Sequence, residues 1–204
     1  MSYQRVRVNH NMITIGIDEV GRGPIAGPVT LCALALKRPL PKKILKTFRD
    51  SKKLSPSQRD EWFLLINDLR DKGILEYKVA SVSAKVIDRI GIAVAIKRAL
   101  ARALNSLNIH PTECSVLLDG SLKAPLEYFD QKTIIKGDES EPAIALASIA
   151  AKVIRDRYMT RQDRKYPGYG FKQHKGYGTR AHYDGISKNG LSELHRRSFL
   201  RTCL

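Results

Sequence analysis

The stretch Thr14-Ile15-Gly16-Ile17-Asp18-Glu19-Val20-Gly21-Arg22-Gly23-Pro24 decides how the rest of this 204-residue chain is interpreted. Its first half is a short apolar run rich in β-branched residues, which is typical of a buried strand. That strand ends in two adjacent carboxylates, although an unpaired buried charge is expensive. The glycines that follow let the backbone turn sharply and approach a ligand closely. The pattern therefore indicates a metal ion held next to a phosphate group.

The position of Glu19 poses a geometric problem, because consecutive strand residues point to opposite faces of a sheet. Asp18 and Glu19 cannot both enter one site from a regular strand. We therefore predict that the pleat of this strand is already broken at Glu19, which Gly21 would make feasible.

The order of the remaining elements predicts an α/β fold. A second apolar strand, 29–36, follows a connection of only eight residues, so the first two strands form an antiparallel hairpin. Later strands alternate with helices, which predicts a mixed central sheet flanked by helices. The start signals Ser55 and Pro56 open one helix, and Gly91 is a weak point in another. The predicted strands are 14–18, 29–36, 76–82, 115–120 and 133–138, and the predicted helices are 56–71, 83–108, 143–164, 180–188 and 192–199.

Carboxylates recur at the ends of the apolar strands. Asp119 ends one such strand and Asp138 ends another. If these two lie together with Asp18 and Glu19, their mutual repulsion requires divalent cations, and oxygen ligands suit Mg²⁺ or Mn²⁺. Two such ions would activate a water molecule and stabilise the leaving oxygen in phosphodiester cleavage. The alternative is that Asp119 is an ordinary turn residue and Asp138 a helix cap.

The charge balance indicates a polyanionic partner. Lys and Arg total 36 against 20 Asp and Glu, a net charge of +16, and nucleic acid is the commonest partner of so basic a domain. No long cationic amphipathic helix favours a membrane surface instead. In residues 155–180 basic and aromatic side chains alternate, as on a nucleic-acid surface, although a solvated helix followed by an ordinary Gly-Tyr loop is the alternative. The basic residues there are Arg155, Arg157, Arg161, Arg164, Lys165, Lys172, Lys175 and Arg180, and we expect His182 and His195 to be structural.

The chain resembles the ribonuclease HII family in a series of motifs. The first motif is long and specific, and it is Gly16-Ile17-Asp18-Glu19-x-Gly21-Arg22-Gly23-Pro24-x-Ala26-Gly27-Pro28-Val29. Weaker motifs follow in the family's order, so the resemblance runs from about residue 14 to residue 199. They are Asp50-Ser51-Lys52-Lys53-Leu54-Ser55, Asp119-Gly120, Lys136-Gly137-Asp138, Ala147-Ser148-Ile149-x-Ala151-Lys152-Val153, His174-Lys175-Gly176-Tyr177, and Gly190-Leu191 followed by His195-Arg196-x-Ser198-Phe199.

The resemblance implies a ribonuclease H-like fold with a small helical C-terminal part. It also implies an endoribonuclease that hydrolyses the RNA strand of RNA/DNA hybrids and cuts at single ribonucleotides embedded in duplex DNA. Cleavage on the 5′ side of the ribonucleotide would leave a 3′-OH and a 5′-phosphate, by two-metal-ion catalysis with Mg²⁺ or Mn²⁺.

Site residues carry over by matching motif. The implied catalytic and metal-binding set is Asp18, Glu19, Asp119 and Asp138. The loop Gly21-Arg22-Gly23 would read the 2′-OH of the ribonucleotide, and Tyr177 would pack on the adjacent deoxyribose. The further substrate-binding candidates are Lys52, Lys53, His174 and Lys175.

Competing interpretations differ in what they leave unexplained. The related ribonuclease HIII family carries a Lys between the two glycines and an extra N-terminal domain, for which thirteen residues before the first strand leave no room. Another two-metal nuclease of the same fold, such as a junction resolvase, would share the acids without needing Gly-Arg-Gly. A non-catalytic basic nucleic-acid-binding protein would explain the charge but not the acids at three strand ends.

The remaining expectations concern organisation and compartment. No repeat, linker or low-complexity segment is present, so we expect a single domain over 1–204, with about 166–204 as a small C-terminal substrate-binding appendage. The N-terminus lacks a hydrophobic signal segment, which predicts a cytoplasmic protein, and no membrane partner and a monomeric state are expected. The cysteines, Cys32, Cys114 and Cys203, are too far apart for a zinc motif, so we interpret them as reduced thiols.

Overall fold

The computed structural model describes residues 12–47 and 54–200, which fold around a five-stranded sheet. β1 pairs antiparallel with β2 and β2 antiparallel with β3, whereas β4 runs parallel to β1 and β5 parallel to β4. The mixed sheet predicted from the sequence is therefore confirmed. The strands are β1 (Ile13–Val20), β2 (Val29–Leu36), β3 (Leu75–Val82), β4 (Cys114–Asp119) and β5 (Gln131–Ile134), in the spatial order β3-β2-β1-β4-β5.

Helices cover both faces of this sheet. Ser55 caps one of them as predicted, because its side chain accepts from the Gln58 N–H while the Gln58 side chain accepts from the Ser55 N–H. The break at Gly91, where φ is +78°, is also confirmed and divides one long helical stretch into two. The helices are α1 (Lys42–Thr47), α2 (Pro56–Asp71), α3 (Ala84–Ile90), α4 (Ile92–Leu107), α5 (Gly137–Ser140), α6 (Pro142–Lys165), α7 (Phe171–His174) and α8 (Arg180–Asn189), with 3₁₀ turns at Pro111–Glu113 and Arg197–Phe199.

The alternation of β1 divides the core into two layers. Ile15 and Ile17 pack with α3 and α4 on one face, whereas α2 and α6 cover the other. Gly16 lies on the α6 face, and a Cβ atom there would sit 2.1 Å from the backbone carbon of Ala143. Since no side chain fits, the start of α6 lies directly on the central strand. This close approach brings the first turns of α6 to the end of β1, where Asp18 lies on the same face.

A third, smaller core joins the C-terminal part to the hairpin connection, residues 21–28. Ile25 and Ala26 of that connection pack with Met159 of α6, Phe171 of α7 and Ile186 of α8. The C-terminal part is thus built onto the segment that follows the two carboxylates of β1. Among the helices described, none has the length and apolar character that crossing a bilayer would need.

Three predicted details are wrong. β1 stays paired with β2 as far as Val20, so the pleat is not broken at Glu19; the partner strand simply continues opposite it. The predicted strand 133–138 ends at Ile134, because Lys136 adopts a left-handed conformation with φ +56° and α5 begins at the next residue. Only the short turn at 197–199 is helical within the predicted helix 192–199.

Candidate active site

The strand topology brings three of the predicted acids to one edge of the sheet. β1 and β4 are parallel neighbours, so their carboxyl ends lie side by side and carry Asp18 and Asp119. Asp138 follows β5, the next parallel strand, in the first turn of α5. These acids therefore lie at the carboxyl ends of adjacent parallel strands, which is where α/β proteins commonly bind ligands.

Asp18 is buried, with 7% of its surface exposed, and so is Asp138, with 5%. Oδ1 of Asp18 accepts a 2.7 Å hydrogen bond from the Glu19 N–H, and the Ser148 side chain on α6 also hydrogen-bonds Asp18. Burial raises the pKa of Asp18 to about 7, the Ser148 bond opposes that rise, and repulsion from Asp119 and Glu19 adds to it. Asp18 therefore sits in a site that disfavours negative charge unless a cation is present.

Glu19 joins the site from the rim. Burial raises the pKa of Glu19, and repulsion from Asp119 adds to that rise. The guanidinium of Arg22, whose Nη1 lies 3.8 Å from Oε1 of Glu19, opposes it. A regular strand sends Asp18 and Glu19 to opposite faces, yet the side chain of Glu19 lines a cavity of about 250 Å³ together with Asp138. The cavity is lined by Glu19, Val20, Arg59, Asp138, Ser148, Ile149 and Lys152.

Asp119 is tied to the turn that carries Asp138. Its Oδ1 accepts a 2.7 Å hydrogen bond from the Gly137 N–H, so the end of β4 is linked to the start of α5. A Cβ at Gly137 would lie 2.6 Å from Cδ1 of Ile144, so glycine lets this turn pack against α6. The geometry explains why the motif Lys136-Gly137-Asp138 needs a glycine between a left-handed residue and the acid.

These four acids, the carboxylate cluster, suit a divalent cation in donor chemistry and in charge. Carboxylate oxygens are the ligands that Mg²⁺ and Mn²⁺ prefer. Burial, together with repulsion from Asp119 and Glu19, raises the pKa of Asp18, so a cation would stabilise its charged form. Over residues 12–47 and 54–200, however, no three carboxylate, imidazole or thiol groups converge closely enough to hold an ion as they stand. Ligation would therefore require side-chain rotations within the cluster.

The Gly-Arg-Gly loop (residues 21–23) follows directly. Gly21 has φ +89°, and a Cβ there would lie 2.3 Å from Nε of Arg155 and 2.7 Å from the carbonyl oxygen of Pro28. Gly23 differs, since a Cβ there would meet nothing within 4 Å. The first glycine is thus required by the fold, whereas the second leaves open space in front of the loop.

The tyrosine loop (residues 174–179) docks on the hairpin connection beside it. The Ala26 N–H donates to the Gly176 carbonyl at 3.1 Å, and a Cβ at Gly176 would lie 2.3 Å from the Ala26 oxygen. Tyr177 is 44% exposed, and its carbonyl accepts from Nδ1 of His182 at 2.8 Å. Tyr177 and the Gly-Arg-Gly loop are therefore both attached to the hairpin connection, residues 21–28.

The side chains of His174 and Lys175 are hydrogen-bonded to other groups of the protein. His174 Nδ1 accepts from the Gly176 N–H, so its Nε2 carries the proton that it donates to the Tyr169 carbonyl at 2.6 Å. Nζ of Lys175 donates to the carbonyl of Lys172 and to Oγ1 of Thr160 at 3.2 Å. Both side chains thus fix the loop.

His182 and His195 are buried and hydrogen-bonded to each other at 3.1 Å between their Nε2 atoms. Because Nδ1 of His182 must donate to the Tyr177 carbonyl, its Nε2 accepts and His195 donates. Nδ1 of His195 then accepts from the N–H of Ser192. These bonds agree with the structural role expected for the two histidines, and they support the backbone of Tyr177.

The basic stretch 155–180 does not lie on one exposed surface. Arg157 is exposed and pairs with Asp60 at 2.8 Å, as a solvated helix face predicts. Arg155, in contrast, is 1% exposed and points into the protein, so its predicted place on a nucleic-acid surface is wrong. Lys52 and Lys53 lie outside the described residues.

Three further residues line the site and were not among the predicted site residues. Ser148 bonds Asp18, and Lys152 lies one turn later on the same face of α6, where its Nζ pairs with Asp156 at 2.9 Å. Arg59 reaches the same cavity from α2. The signal for two of them was available, because Ser148 and Lys152 stand at helical i, i+4 spacing within a quoted motif.

Comparison with known proteins gives a consistent result. The family model described as Ribonuclease HII matches residues 15–202. A ribonuclease HII of Caldicellulosiruptor bescii is 47% identical over 189 residues, which are 93% of this chain and 87% of that protein. A ribonuclease HII of Coxiella burnetii is 42% identical over 190 residues, which are 93% of this chain and 89% of that protein.

Solved structures agree with the sequence relatives. The ribonuclease HII in a complex with PCNA from Archaeoglobus fulgidus superposes with a TM-score of 0.71 at 26% identity, covering 91% of this chain and 94% of that one. Ribonuclease H2 from Pyrococcus horikoshii gives 0.68 at 27% identity, covering 92% and 93%. The Bst ribonuclease HIII in complex with Mn²⁺ gives 0.66 at 20% identity, covering 95% and 68%, and so shares the fold. The predicted ribonuclease H-like fold is thereby confirmed.

Proposed function

Because this chain belongs to the ribonuclease HII family, and is therefore a nuclease that hydrolyses RNA paired with DNA, we propose that it also cuts at single ribonucleotides embedded in duplex DNA. Cleavage on the 5′ side of the ribonucleotide would leave a 3′-OH and a 5′-phosphate. The observation that carries the proposal is the position of the buried Asp18, three residues before the start of a loop whose open side can receive a sugar.

The carboxylate cluster is the proposed metal site. Its members, Asp18, Glu19, Asp119 and Asp138, would hold Mg²⁺ or Mn²⁺, with two ions as the proposed complement. When bound, such ions lower the pKa of an attacking water and neutralise charge on the leaving oxygen. The protein's own contribution is to concentrate these charges: burial of Asp18 and its repulsion by two neighbours make the cluster unfavourable until a cation arrives.

The Gly-Arg-Gly loop is the proposed reader of the ribose. A 2′-OH is distinguished from a deoxyribose by hydrogen bonds that are left unmade when the hydroxyl is absent. The open side of Gly23 lets the backbone come close to a sugar. The exposed guanidinium of Arg22, which lies 3.8 Å from the Glu19 carboxylate, would approach the neighbouring phosphate. Arg59 and Lys152 add positive charge to the cavity that Glu19 and Asp138 line.

Tyr177 is the proposed sensor of the next nucleotide. Its exposed ring would pack on a deoxyribose, where the extra hydroxyl of a ribose would crowd it. This favours a ribonucleotide followed by DNA over continuous RNA. His174 and Lys175 would then act by holding the loop, and Lys52 and Lys53 remain proposed phosphate contacts from the sequence alone.

Two rival functions explain fewer of these features. A non-catalytic nucleic-acid-binding protein would use the net charge of +16 but gives no reason to bury Asp18 among other acids. A junction resolvase of similar fold would use the acids but would not need an open Gly23 beside them. We also propose that the chain acts as a monomeric, cytoplasmic protein with one catalytic domain over 1–204, in which about 166–204 is the substrate-binding appendage.

The test compares three duplexes of one sequence: all DNA, DNA with one ribonucleotide, and a long RNA/DNA hybrid. With Mg²⁺ or Mn²⁺ we expect cutting of the second and third only, and none by the Asp18→Asn variant. Tyr177→Ala should lower kcat/KM on the single ribonucleotide more than on the hybrid. Equal loss on both substrates would make Tyr177 a general platform, and failure to cut the single ribonucleotide would refute the proposed function.

A further inference from the structure

Two arginines are buried side by side beneath the hairpin connection. Arg155 of α6 is 1% exposed and Arg196 is 0% exposed, and neither forms an ion pair with a described carboxylate. Nη1 of Arg155 is buried without a hydrogen bond to any described group. A buried charge without a counter-ion is costly, so its persistence calls for an explanation.

The partners of both guanidinium groups are backbone carbonyls of one short segment. Arg155 donates from Nε to Pro28 at 2.9 Å and from Nη2 to Ala26 at 3.3 Å. Arg196 donates from its three nitrogens to the carbonyls of Gly27 at 2.9 Å, Arg22 at 3.0 Å and Gly21 at 2.6 Å. Five carbonyls of the connection 21–28 are therefore turned toward the two arginines.

This orientation determines where the amide groups point. In a trans peptide the C=O of one residue and the N–H of the next point in opposite directions within one plane. Turning the Gly21 and Arg22 carbonyls inward to Arg196 therefore turns the N–H groups of Arg22 and Gly23 outward. Neither N–H donates to any described residue, and both residues are exposed. The result is a pair of adjacent, outward amide donors backed by two positive charges, which is the arrangement that binds oxygen ligands.

Neighbouring residues are arranged to accommodate the two arginines. The guanidinium of Arg155 occupies the space that a side chain at Gly21 would need, which accounts for glycine at that position. Asp88 of α3 accepts from the N–H groups of Arg197 and Ser198 at 2.9 and 3.0 Å, which holds the segment that delivers Arg196. Burial lowers the pKa of Arg196 to about 9, so its charge persists at neutral pH.

We propose that Arg155 and Arg196 are positioning residues, which aim the N–H groups of Arg22 and Gly23 at the 2′-OH of the ribonucleotide and the phosphate beside it. This inference rests on the proposed function, because it assigns the groups that select the ribose. The fork of Arg196 reaches three carbonyls at once, whereas a lysine ammonium concentrates its donors at one point. Arg196→Lys should therefore keep the positive charge but lose the hydrogen bonds that orient the N–H groups of Arg22 and Gly23.

The test measures binding without cleavage. In metal-free buffer, the Kd of duplex DNA with one ribonucleotide is compared with the Kd of the all-DNA duplex of the same sequence. For Arg196→Lys we expect the preference for the ribonucleotide to fall about tenfold, the loss of one to two hydrogen bonds, with little change in all-DNA binding. Arg102→Lys is the matched control, because this exposed arginine on α4 also donates to a carbonyl, that of Ser81 at 3.4 Å. It should change neither Kd.

A second measurement covers the case in which Arg196→Lys does not fold. In the wild-type protein, amide hydrogen exchange at Arg22 and Gly23 should be fast without nucleic acid and slowed by the ribonucleotide-containing duplex more than by all-DNA duplex. Equal slowing by both duplexes overturns the assignment, as does a folded Arg196→Lys variant with wild-type preference. If the wild-type protein itself shows no preference in binding or cutting, the proposed function fails and this inference falls with it.

Discussion

Replacing Asp18 by asparagine should stabilise the metal-free protein at neutral and alkaline pH. Burial, with repulsion from Asp119 and Glu19, raises the pKa of Asp18 from 3.8 to about 7. The folded state therefore binds this proton more tightly than the unfolded chain does, so ionised Asp18 opposes folding increasingly above pH 3.8 and by a constant amount above about pH 7. A difference of about 3 pKa units corresponds to about 4 kcal/mol.

Asparagine removes that penalty while keeping the shape of the side chain. Its amide oxygen can still accept from the Glu19 N–H, the bond that Oδ1 of Asp18 makes at 2.7 Å. Because Asp18 is only 7% exposed, solvent screening reduces the effect little. We expect Asp18→Asn to unfold with a free energy about 2–4 kcal/mol larger than that of the wild type at pH 8, and about 1 kcal/mol larger at pH 4.5.

Urea denaturation in EDTA at pH 4.5, 6 and 8 measures these differences. The control is Asp184→Asn on α8, an exposed acid whose replacement should leave the free energy of unfolding unchanged at every pH. Added Mg²⁺ should stabilise the wild-type protein and not Asp18→Asn, which reverses the order of stability. The reasoning is refuted if Asp18→Asn is less stable than wild type at pH 8 in EDTA, or if the difference does not vary with pH.

Three further predictions follow from single contacts. Ser148→Ala removes the hydrogen bond that lowers the pKa of Asp18, so the acid limb of the pH–rate profile should move to higher pH; an unmoved limb would contradict this. Gly16→Ala places a methyl group 2.1 Å from the Ala143 backbone and should lower the free energy of unfolding by about 3 kcal/mol, measured by urea denaturation. Burial lowers the pKa of His182 to about 4, so neutral His182 stabilises the fold above pH 6.5. Up to about 3 kcal/mol of the free energy of unfolding should be lost as the pH falls to 4. In thermal melts, the stability of His182→Asn should therefore fall less steeply at acid pH than that of the wild type.

The sheet and the position of its acids could be read from the sequence because both depend on local patterns. The apolar runs before Asp18 and Asp119 have strand length, and a short connection leaves only a hairpin between the first two strands. The boundaries of α2 were equally local, since Ser55 and Pro56 are strong start signals. Local chemistry thus predicted the elements that carry the carboxylate cluster.

What could not be predicted depends on contacts between distant segments. Arg155 belongs by spacing to a basic, aromatic-rich stretch, and only the packing of α6 beneath the hairpin connection buries it. The prediction for Glu19 was wrong for a related reason: pairing with β2 keeps it in a regular strand, and from there it lines the same cavity as Asp138. Both errors concern charged residues, whose environment is set by tertiary structure.

The strand order has a consequence for how the site responds to its ligands. β1, which carries Asp18, is hydrogen-bonded on both sides in the middle of the sheet, whereas Asp138 follows β5, a four-residue strand at the edge, in the first turn of α5. The two acids therefore lie on segments with unequal resistance to local opening. The link between them runs through the bond from Gly137 to Asp119. A cation held by the proposed metal site should therefore restrain the edge far more than the centre. On metal binding, protection of the backbone amides from hydrogen exchange should increase most in β5 and the turn at Gly137. The amides of β1, which are already well protected, should change very little.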